Sequence, residues 1–572
     1  MNGPSAVAAR GLGFRYRRAE HPALVDIDLE VEPGRLVGVL GRSGAGKSTL
    51  MAAVGSFIPH LIRGELTGSV EIFGSSTDAR SPGEFAGVLG MVFQDFEAQI
   101  FSSRVDIEAA FGPENLGLSR REIIRRVTDS LAFTGLELKA HRVPATLSGG
   151  EKQRLAAASV LSMEPNLFLF DEPTTDLDPR GADDMLDLVR RLRETRGATA
   201  LLVTHDTERL VRADKLVVLE NGRVAAVGEP EEILTNEVLV KAHRLKPLPH
   251  LACLSPFIPE GVPLDKAEAL AQAEGRGLSF VPERIAEIEG REHPNASPTG
   301  PPIIELRDVS FRYEGAPSNL FEKLSCEIHP GECIAIIGSN GGGKTTLAGH
   351  MNGLIIPDTG EVRVEGKGLA TRTPLELSEL VGFVHQNPDR MIFSETVFDE
   401  AAFGLNIRGM EKGSIRRRVE EVLDVVGLGD RREEDPFMLT KGERQRLAMA
   451  SILSVGPRIL ILDEPTTGLD YGEIADMMEV ITDLNRSGHT VIIITHNMDV
   501  VARYAKRVLL VSGGHIMADG TPRDVFTKDS LLREAGIVPP REVILGRVFG
   551  FPTLTADEFH FLMGIPGEAA HA

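Results

Sequence analysis

The chain has 572 residues, 42% hydrophobic and 25% charged, a length and composition that imply two to four globular units able to bury sizeable cores. Its formal net charge of −21 argues against a broad surface for nucleic acid or anionic lipid, yet allows phosphates held locally by backbone amides and one lysine. No apolar run approaches the roughly 18–20 residues that span a bilayer, which leaves a soluble, intracellular protein as the expectation.

In chain order, the opening MNGPSAVAAR lacks the basic start and long apolar core of a signal peptide. A GFRY segment ends at Tyr16, and VGVLGRSGAGKSTLMAAV then reads as a buried strand, a glycine-rich turn and a helix. That context makes its G-x-x-x-x-G-K-[ST] pattern a strong phosphate-binding signal. Gly41, Gly44 and Gly46 let the loop that also holds Arg42, Ser43 and Ala45 curl its N–H groups onto a phosphate, with the positive end of the helix behind. Lys47 is placed to reach the β/γ-phosphates of ATP and Ser48, beside Thr49, to ligate Mg²⁺. Gln94 in VFQDFEAQIF follows a short apolar strand and is a candidate for Mg²⁺ or the attacking water. After LSGGEKQRLA (Leu147–Ala156) comes FLFDEPTTDLD (Phe168–Asp178), an apolar strand ending in two carboxylates. Asp171 is expected near Mg²⁺, and Glu172 to orient or deprotonate water. His205 in LLVTHD follows another apolar strand and is a candidate γ-phosphate contact.

Every one of these motifs then returns. GSNGGGKTT supplies Gly338, Ser339, Asn340, Gly341, Gly342, Gly343, Lys344, Thr345 and Thr346; VHQNPDRMIF supplies Gln386; LTKGERQRLA is Leu439–Ala448. LILDEPTTGLD supplies Asp463 and Glu464, IIITHN supplies His496, and SFRY supplies Tyr313. The offsets are 344 − 47 = 297 for the lysines, 386 − 94 = 292 for the glutamines, 464 − 172 = 292 for the glutamates and 496 − 205 = 291 for the histidines. Five motifs in one order at nearly one spacing mean a duplicated domain. The expected layout is one domain over residues 5–244, a linker over 245–301, a second domain over 302–537 and a tail over 538–572. The stretch from Arg244 to Pro301 holds 6 Lys/Arg and 8 Asp/Glu, about −2 in all, with many prolines and one helix-like run, Leu264–Ala273. As a coil it reaches far enough for the two halves to pair within one chain. Tyr16 and Tyr313, about 30 residues before each lysine, suggest adenine stacking. Cys253, Cys326 and Cys333 have no metal-ligand spacing and read as small buried thiols.

With LSGGEKQR, DEPTTDLD and THD in one half and their counterparts in the other, the sequence resembles the ATP-binding-cassette superfamily over about 480 residues. The resemblance implies an α/β fold, two P-loop domains each with a RecA-like core, an antiparallel β subdomain and a helical subdomain. It also implies that Ser148 and Gly150 contact the nucleotide held at Lys344, and Thr440 and Gly442 the one held at Lys47. The stretches VFQDFEAQIFSSRVDIEAAFGPENLGL and VHQNPDRMIFSETVFDEAAFGLNIRGM look like the ATPases of energy-coupling factor transporters. That implies a peripheral protein on the cytoplasmic face of the cell membrane, partnered by a transmembrane coupling protein and a substrate-binding membrane subunit that import a vitamin or metal ion. Glu97, Gln99, Asp389, Asp399 and Glu400 are then candidate partner contacts.

Two other readings compete: a soluble tandem-cassette translation factor on the ribosome, disfavoured by the acidic, weakly helical linker, and a tandem sugar-importer ATPase. In the signatures LSGGE and LTKGE, Lys441 stands where the first half has Gly149. A Cβ and a cation there lead to the expectation that the site built on Lys344 turns over faster than the one built on Lys47.

Overall fold

The computed structural model describes residues 4–17, 19–174, 179–292 and 300–565. The end of the first DEPTTDLD motif (175–178), part of the expected linker (293–299) and the end of the expected tail (566–572) lie outside the described residues. The chain divides into two compact units, one built chiefly of the chain up to Leu251, the other of Ala252–Pro259, Leu270–Leu469 and the chain from Glu473 onward.

In the first unit, alternating buried and exposed residues give Leu24–Val31, Val7–Tyr16, Gly64–Ile72 and Ser75–Ser76, an antiparallel sheet in that order with one buried face. The strands Leu36–Gly41, Leu167–Asp171 and Thr199–Val203 are instead buried at every position, as expected of central parallel strands covered on both faces. They lie in a six-stranded sheet ordered Arg223–Gly228, Lys215–Glu220, Leu36–Gly41, Thr199–Val203, Leu167–Asp171, Leu89–Val92, of which only the first strand pairs antiparallel. Three helices, Val105–Asn115, Arg120–Phe133 and Gly149–Leu161, enclose a separate small core that includes Val105, Leu131, Leu147 and Leu155.

The second unit repeats this plan. Phe321–Ile328, Ile304–Phe311, Thr359–Val364 and Lys367–Gly368 form its antiparallel sheet. Val381–Val384, Ile459–Asp463, Thr490–Ile494, Cys333–Ile337, Arg507–Ser512 and His515–Gly520 form the six-stranded one. The helices Val397–Ile407, Lys412–Val425 and Lys441–Leu453 complete it. The α/β architecture implied by the resemblance is therefore present twice. Cys253 and Cys333 are buried thiols, and burial pushes Cys333 up to about 11.

The stretch between the halves differs from a coil with one helix-like run. Among the described residues it forms three α-helices, Pro249–Leu254, Lys266–Gly275 and Pro282–Glu292. Two begin with proline, which fits the first turn of a helix because no N–H is needed there. The duplication continues through it: Pro249 and Pro540 differ by 540 − 249 = 291, and Leu264 and Leu554 by 554 − 264 = 290. Asp265 and Thr555, again 290 apart, each cap a helix by accepting an N–H three residues on, from Glu268 at 3.1 Å and Glu558 at 3.2 Å.

Within the second unit, the tail is fastened by aromatic and charged contacts. Phe559 packs edge-on to Phe280 at 5.0 Å and to Phe549 at 5.2 Å, and Val281 N–H donates to the Leu562 carbonyl at 2.8 Å. Arg523 and Glu558 form a buried ion pair; Arg523 also lies 4.6 Å over the Phe551 ring and donates to the Pro552 carbonyl. Removing one partner of a buried pair strands the other charge, at a cost of about 3–5 kcal/mol. Glu558→Ala should therefore lower the stability of the second unit by about 3 kcal/mol in denaturant titration. Arg523→Met with Glu558→Leu should recover most of that loss, whereas a change below about 0.5 kcal/mol in Glu558→Ala would show that the pair does not hold the tail.

Candidate functional site

In each half the site is built where the buried parallel strands end. Leu36–Gly41 runs directly into the phosphate loop, and the loop closes only with glycine. Gly41 takes φ 145° and a Cβ there would collide with the Leu219 carbonyl; at Gly46, φ 99°, a Cβ would lie 2.6 Å from the Ala23 carbonyl oxygen. Gly338 and Gly343 repeat both conformations, with φ 154° and 104°. The helices Lys47–Val54 and Lys344–Met351 follow at once, so their unbonded N–H groups face the loop. Lys47 Nζ donates to the Gly41 and Arg42 carbonyls at 2.8 and 2.9 Å, and Lys344 Nζ to those of Gly338 and Ser339 at 2.9 and 3.0 Å. Each loop is thus drawn into a ring around its lysine.

The acidic strand ends lie beside these loops. Asp171 pairs in register with Val203, and Asp463 with Ile494, so the next residue falls just past the sheet. Glu172 N–H bonds to the Val203 carbonyl at 3.0 Å, Glu464 N–H to that of Ile494 at 2.8 Å. Both glutamates hold a left-handed backbone, φ 49° and 51°, at a cost of about 1 kcal/mol each. That turn points the carboxylate at the next strand end, where His205 Nε2 meets Glu172 Oε1 at 2.5 Å and His496 Nε2 meets Glu464 Oε1 at 3.1 Å. Gln94 Nε2 donates to Glu172 Oε2 at 3.3 Å, while Gln386 is solvent-exposed. Thr467, unremarked in the sequence, donates to Glu464 at 3.4 Å. Tyr16 and Tyr313 are partly exposed, each hydroxyl tied to the phosphate-loop helix through Thr49 at 3.0 Å or Thr346 at 2.9 Å.

Burial dominates the electrostatics. It raises Asp171 to about 6 against the opposing Ser48 hydroxyl, raises Asp463 against the Thr345 hydroxyl at 3.1 Å, and raises Glu464 to about 7. It also lowers Lys344. Asp171 Oδ1 is buried with no hydrogen-bond partner among the described residues. A hydroxyl and a carboxylate oxygen side by side in a desolvated pocket fit Mg²⁺, whose remaining positions go to phosphate oxygens and water.

Ser148 and Thr440 each cap the helix they open, in reciprocal capping boxes with Glu151 and Glu443. Lys139 pairs with Glu151, and Arg431 with Glu443 at 3.6 Å. Gly150 and Gly442 lie in the first turn behind them. Lys441 opens its helix with a right-handed backbone, at a position where a Cβ on the equivalent Gly149 would meet nothing within 4 Å among the described residues. Its side chain folds back along Gly468. No positive φ separates the two signatures at this position.

The segments after each glutamine bring a correction. Glu400 is 2% exposed and accepts the N–H groups of Phe393 at 3.0 Å and Ser394 at 2.9 Å, so it is a clamp and not a surface contact. Glu108, missed in the sequence, does the same for Phe101 at 3.1 Å and Ser102 at 2.7 Å. Its signal was there in the repeated EAAFG, with 400 − 108 = 292. Gln99 turns inward to Phe93 N–H and the Met91 carbonyl; Thr396 caps the helix that holds Asp399, accepting the Asp399 N–H at 3.0 Å and donating to its carboxylate at 2.8 Å. Glu97 and Asp389 are exposed but paired within their own halves, with Lys152 at 2.5 Å and Arg444 at 2.6 Å.

Comparison with known proteins matches residues 24–175 and 321–467 to the family described as ABC transporter. A relative provisionally named ABC transporter ATP-binding protein, from Caldanaerobacter subterraneus subsp. tengcongensis, is 41% identical over 96% of this chain and 98% of its own. One of the same provisional name from Methanosarcina acetivorans is 38% identical over 92% of this chain and 88% of its own. Among solved structures, cbiO1 from Clostridium perfringens, titled part of the ABC transporter complex cbiONQ, is 29% identical with a TM-score of 0.39. It matches 44% of this chain and 98% of its own.

Replacing a positioned general base costs about 10²–10⁴-fold in rate. Glu172→Gln with Glu464→Gln should thus abolish measurable ATP turnover while ATP affinity, by equilibrium dialysis, stays within about threefold. Turnover at the wild-type rate in that variant would remove both glutamates from the chemistry.

Proposed function

Because the chain belongs to the ABC transporter family and carries its ATP-binding cassette twice, we propose that it is the ATP-hydrolysing subunit of an energy-coupling factor type importer of a vitamin or metal ion. The chain is an ATPase coupled to transport. Among the described residues no helix is long and apolar enough to cross a membrane. The proposed working place is the cytoplasmic face of the membrane, beside a transmembrane coupling protein and a substrate-binding subunit.

In the proposed chemistry the loop N–H groups of Gly41–Ser48 and Gly338–Thr345 hold the phosphates, and Lys47 and Lys344 neutralise the β/γ-oxygens. Bound Mg²⁺, held by Ser48 with Asp171 and by Thr345 with Asp463, supplies charge neutralisation at the transferring phosphoryl group. Glu172 and Glu464 orient a water for in-line attack and take its proton. The raised proton affinity of Glu464, about 7, suits that task near neutral pH. His205 and His496 fix each carboxylate and face the γ-phosphate; Gln94 and Gln386 stand at the same water and metal, Gln94 already on Glu172. Tyr16 and Tyr313 offer ring faces to adenine, and the N–H groups opening the Ser148 and Thr440 helices offer a further phosphate contact.

The observation that carries the membrane-coupled reading is an aromatic pair exposed at one place in each half. Phe101, 63% exposed, packs edge-on to Phe111 at 4.6 Å; Phe393, 59% exposed, packs the same way on Phe403 at 4.6 Å. A buried glutamate, Glu108 or Glu400, fixes the backbone of each. Large apolar groups held rigidly in water mark a binding surface more than a packing accident. They sit in the two stretches that resemble energy-coupling factor ATPases, and an apolar face of a coupling protein is the occupant proposed. Phe101→Ser with Phe393→Ser should lower co-purification of the membrane partners about tenfold or more, with ATP binding unchanged. Undiminished recovery would detach these aromatics from docking, and recovery of ribosomes in place of membrane proteins would overturn the transporter reading itself.

A further inference from the structure

We propose that the ion pairs Glu97–Lys152 and Asp389–Arg444 position the signature helix of each half from the segment that follows the glutamine, and so set the rate of ATP turnover. The inference rests on the proposed role of the signature helix start as a phosphate contact. Glu97 lies three residues beyond Gln94, which itself holds Glu172. Lys152 lies in the first turn of the helix that Ser148 caps. One pair, 2.5 Å long, therefore joins the surroundings of the catalytic carboxylate to the signature.

The second half rebuilds the joint with other residues. Asp389 and Arg444 meet at 2.6 Å, and both members are displaced by one offset, 389 − 97 = 292 and 444 − 152 = 292. A shorter acid is matched by a longer base, so the span is kept while the side chains change. The residue just before each base is tied as well, through Lys139–Glu151 and Arg431–Glu443. Two ties on neighbouring first-turn residues hold the direction in which the N–H groups there point. The acids are largely exposed, so each pair contributes only about 0.2–1 kcal/mol to stability. Folding does not need it, whereas a phosphate contact does: a misplacement of about 1 Å at a reacting group can cost up to 10²-fold in rate.

The first half gives the cleaner test, since Arg444 also donates to the Leu439 carbonyl. In the purified full chain, Glu97→Lys and Lys152→Glu should each lower kcat for Mg²⁺-ATP about fivefold or more, with KM within about twofold. Each Tm should stay within about 2 °C of wild type. The two substitutions together rebuild the pair in reverse and should restore kcat to within about twofold. Unchanged kcat in the single variants, or a double variant as slow as they are, would overturn the proposal. So would a loss of kcat that tracks a Tm drop above about 5 °C in both Lys152→Glu and Lys152→Gln, because the pair would then be a folding prop. Ser148→Ala with Thr440→Ala separates the underlying reading: unchanged kcat there removes the signature contact, and the proposal with it.

Discussion

The structure depends on one backbone hydrogen bond made twice, from Glu172 N–H to the Val203 carbonyl and from Glu464 N–H to the Ile494 carbonyl. Each extends the sheet by one residue beyond the aspartate and forces the glutamate into a left-handed turn. Without that turn the carboxylate would follow the alternation of the strand and face the sheet's covering layer. With it, the glutamate points across the strand ends to the histidine, while the aspartate before it faces the phosphate-loop hydroxyl. The local strain persists because fully buried strands on both sides leave the chain no other path.

Desolvation gives these carboxylates their chemistry. The strands that position them also exclude water, and exclusion raises the proton affinity of Asp171, Asp463 and Glu464. A group held near neutrality can accept a proton and pass it on, and a desolvated aspartate gains more from a divalent cation than an exposed one does. Around this centre the chain uses carboxylates in a second way. Glu108 and Glu400, also buried, meet backbone N–H groups instead of water and so stiffen the exposed aromatic corners. In the proposed chemistry the same residue type serves as base or clamp according to what its oxygens face.

Much of this was legible in the sequence because the motifs are local and come twice. A glycine loop between an apolar run and a lysine, or an apolar run ending in Asp-Glu, carries its geometry within a few residues. What was missed depends on partners distant in sequence or on backbone atoms. Glu400 read as a contact for a partner because nothing in the letters shows that it meets the N–H groups of Phe393 and Ser394. Lys441 read as an obstruction because the comparison with Gly149 suggested a special backbone that neither residue adopts. The proline-rich stretch between the halves read as a coil with one helix-like run, although Pro249 and Pro282 begin helices. The helical character of that segment also withdraws one ground for setting the translation-factor reading aside; its acidic balance of 6 Lys/Arg to 8 Asp/Glu stays.

That both halves are complete nucleotide sites is the claim on which the rest stands, and binding stoichiometry tests it most directly. Calorimetric titration of the full chain with Mg²⁺ and a non-hydrolysable ATP analogue should give two nucleotides per chain. Lys47→Ala and Lys344→Ala should each remove one of them. A single nucleotide per chain, abolished by one of these substitutions and untouched by the other, would contradict it.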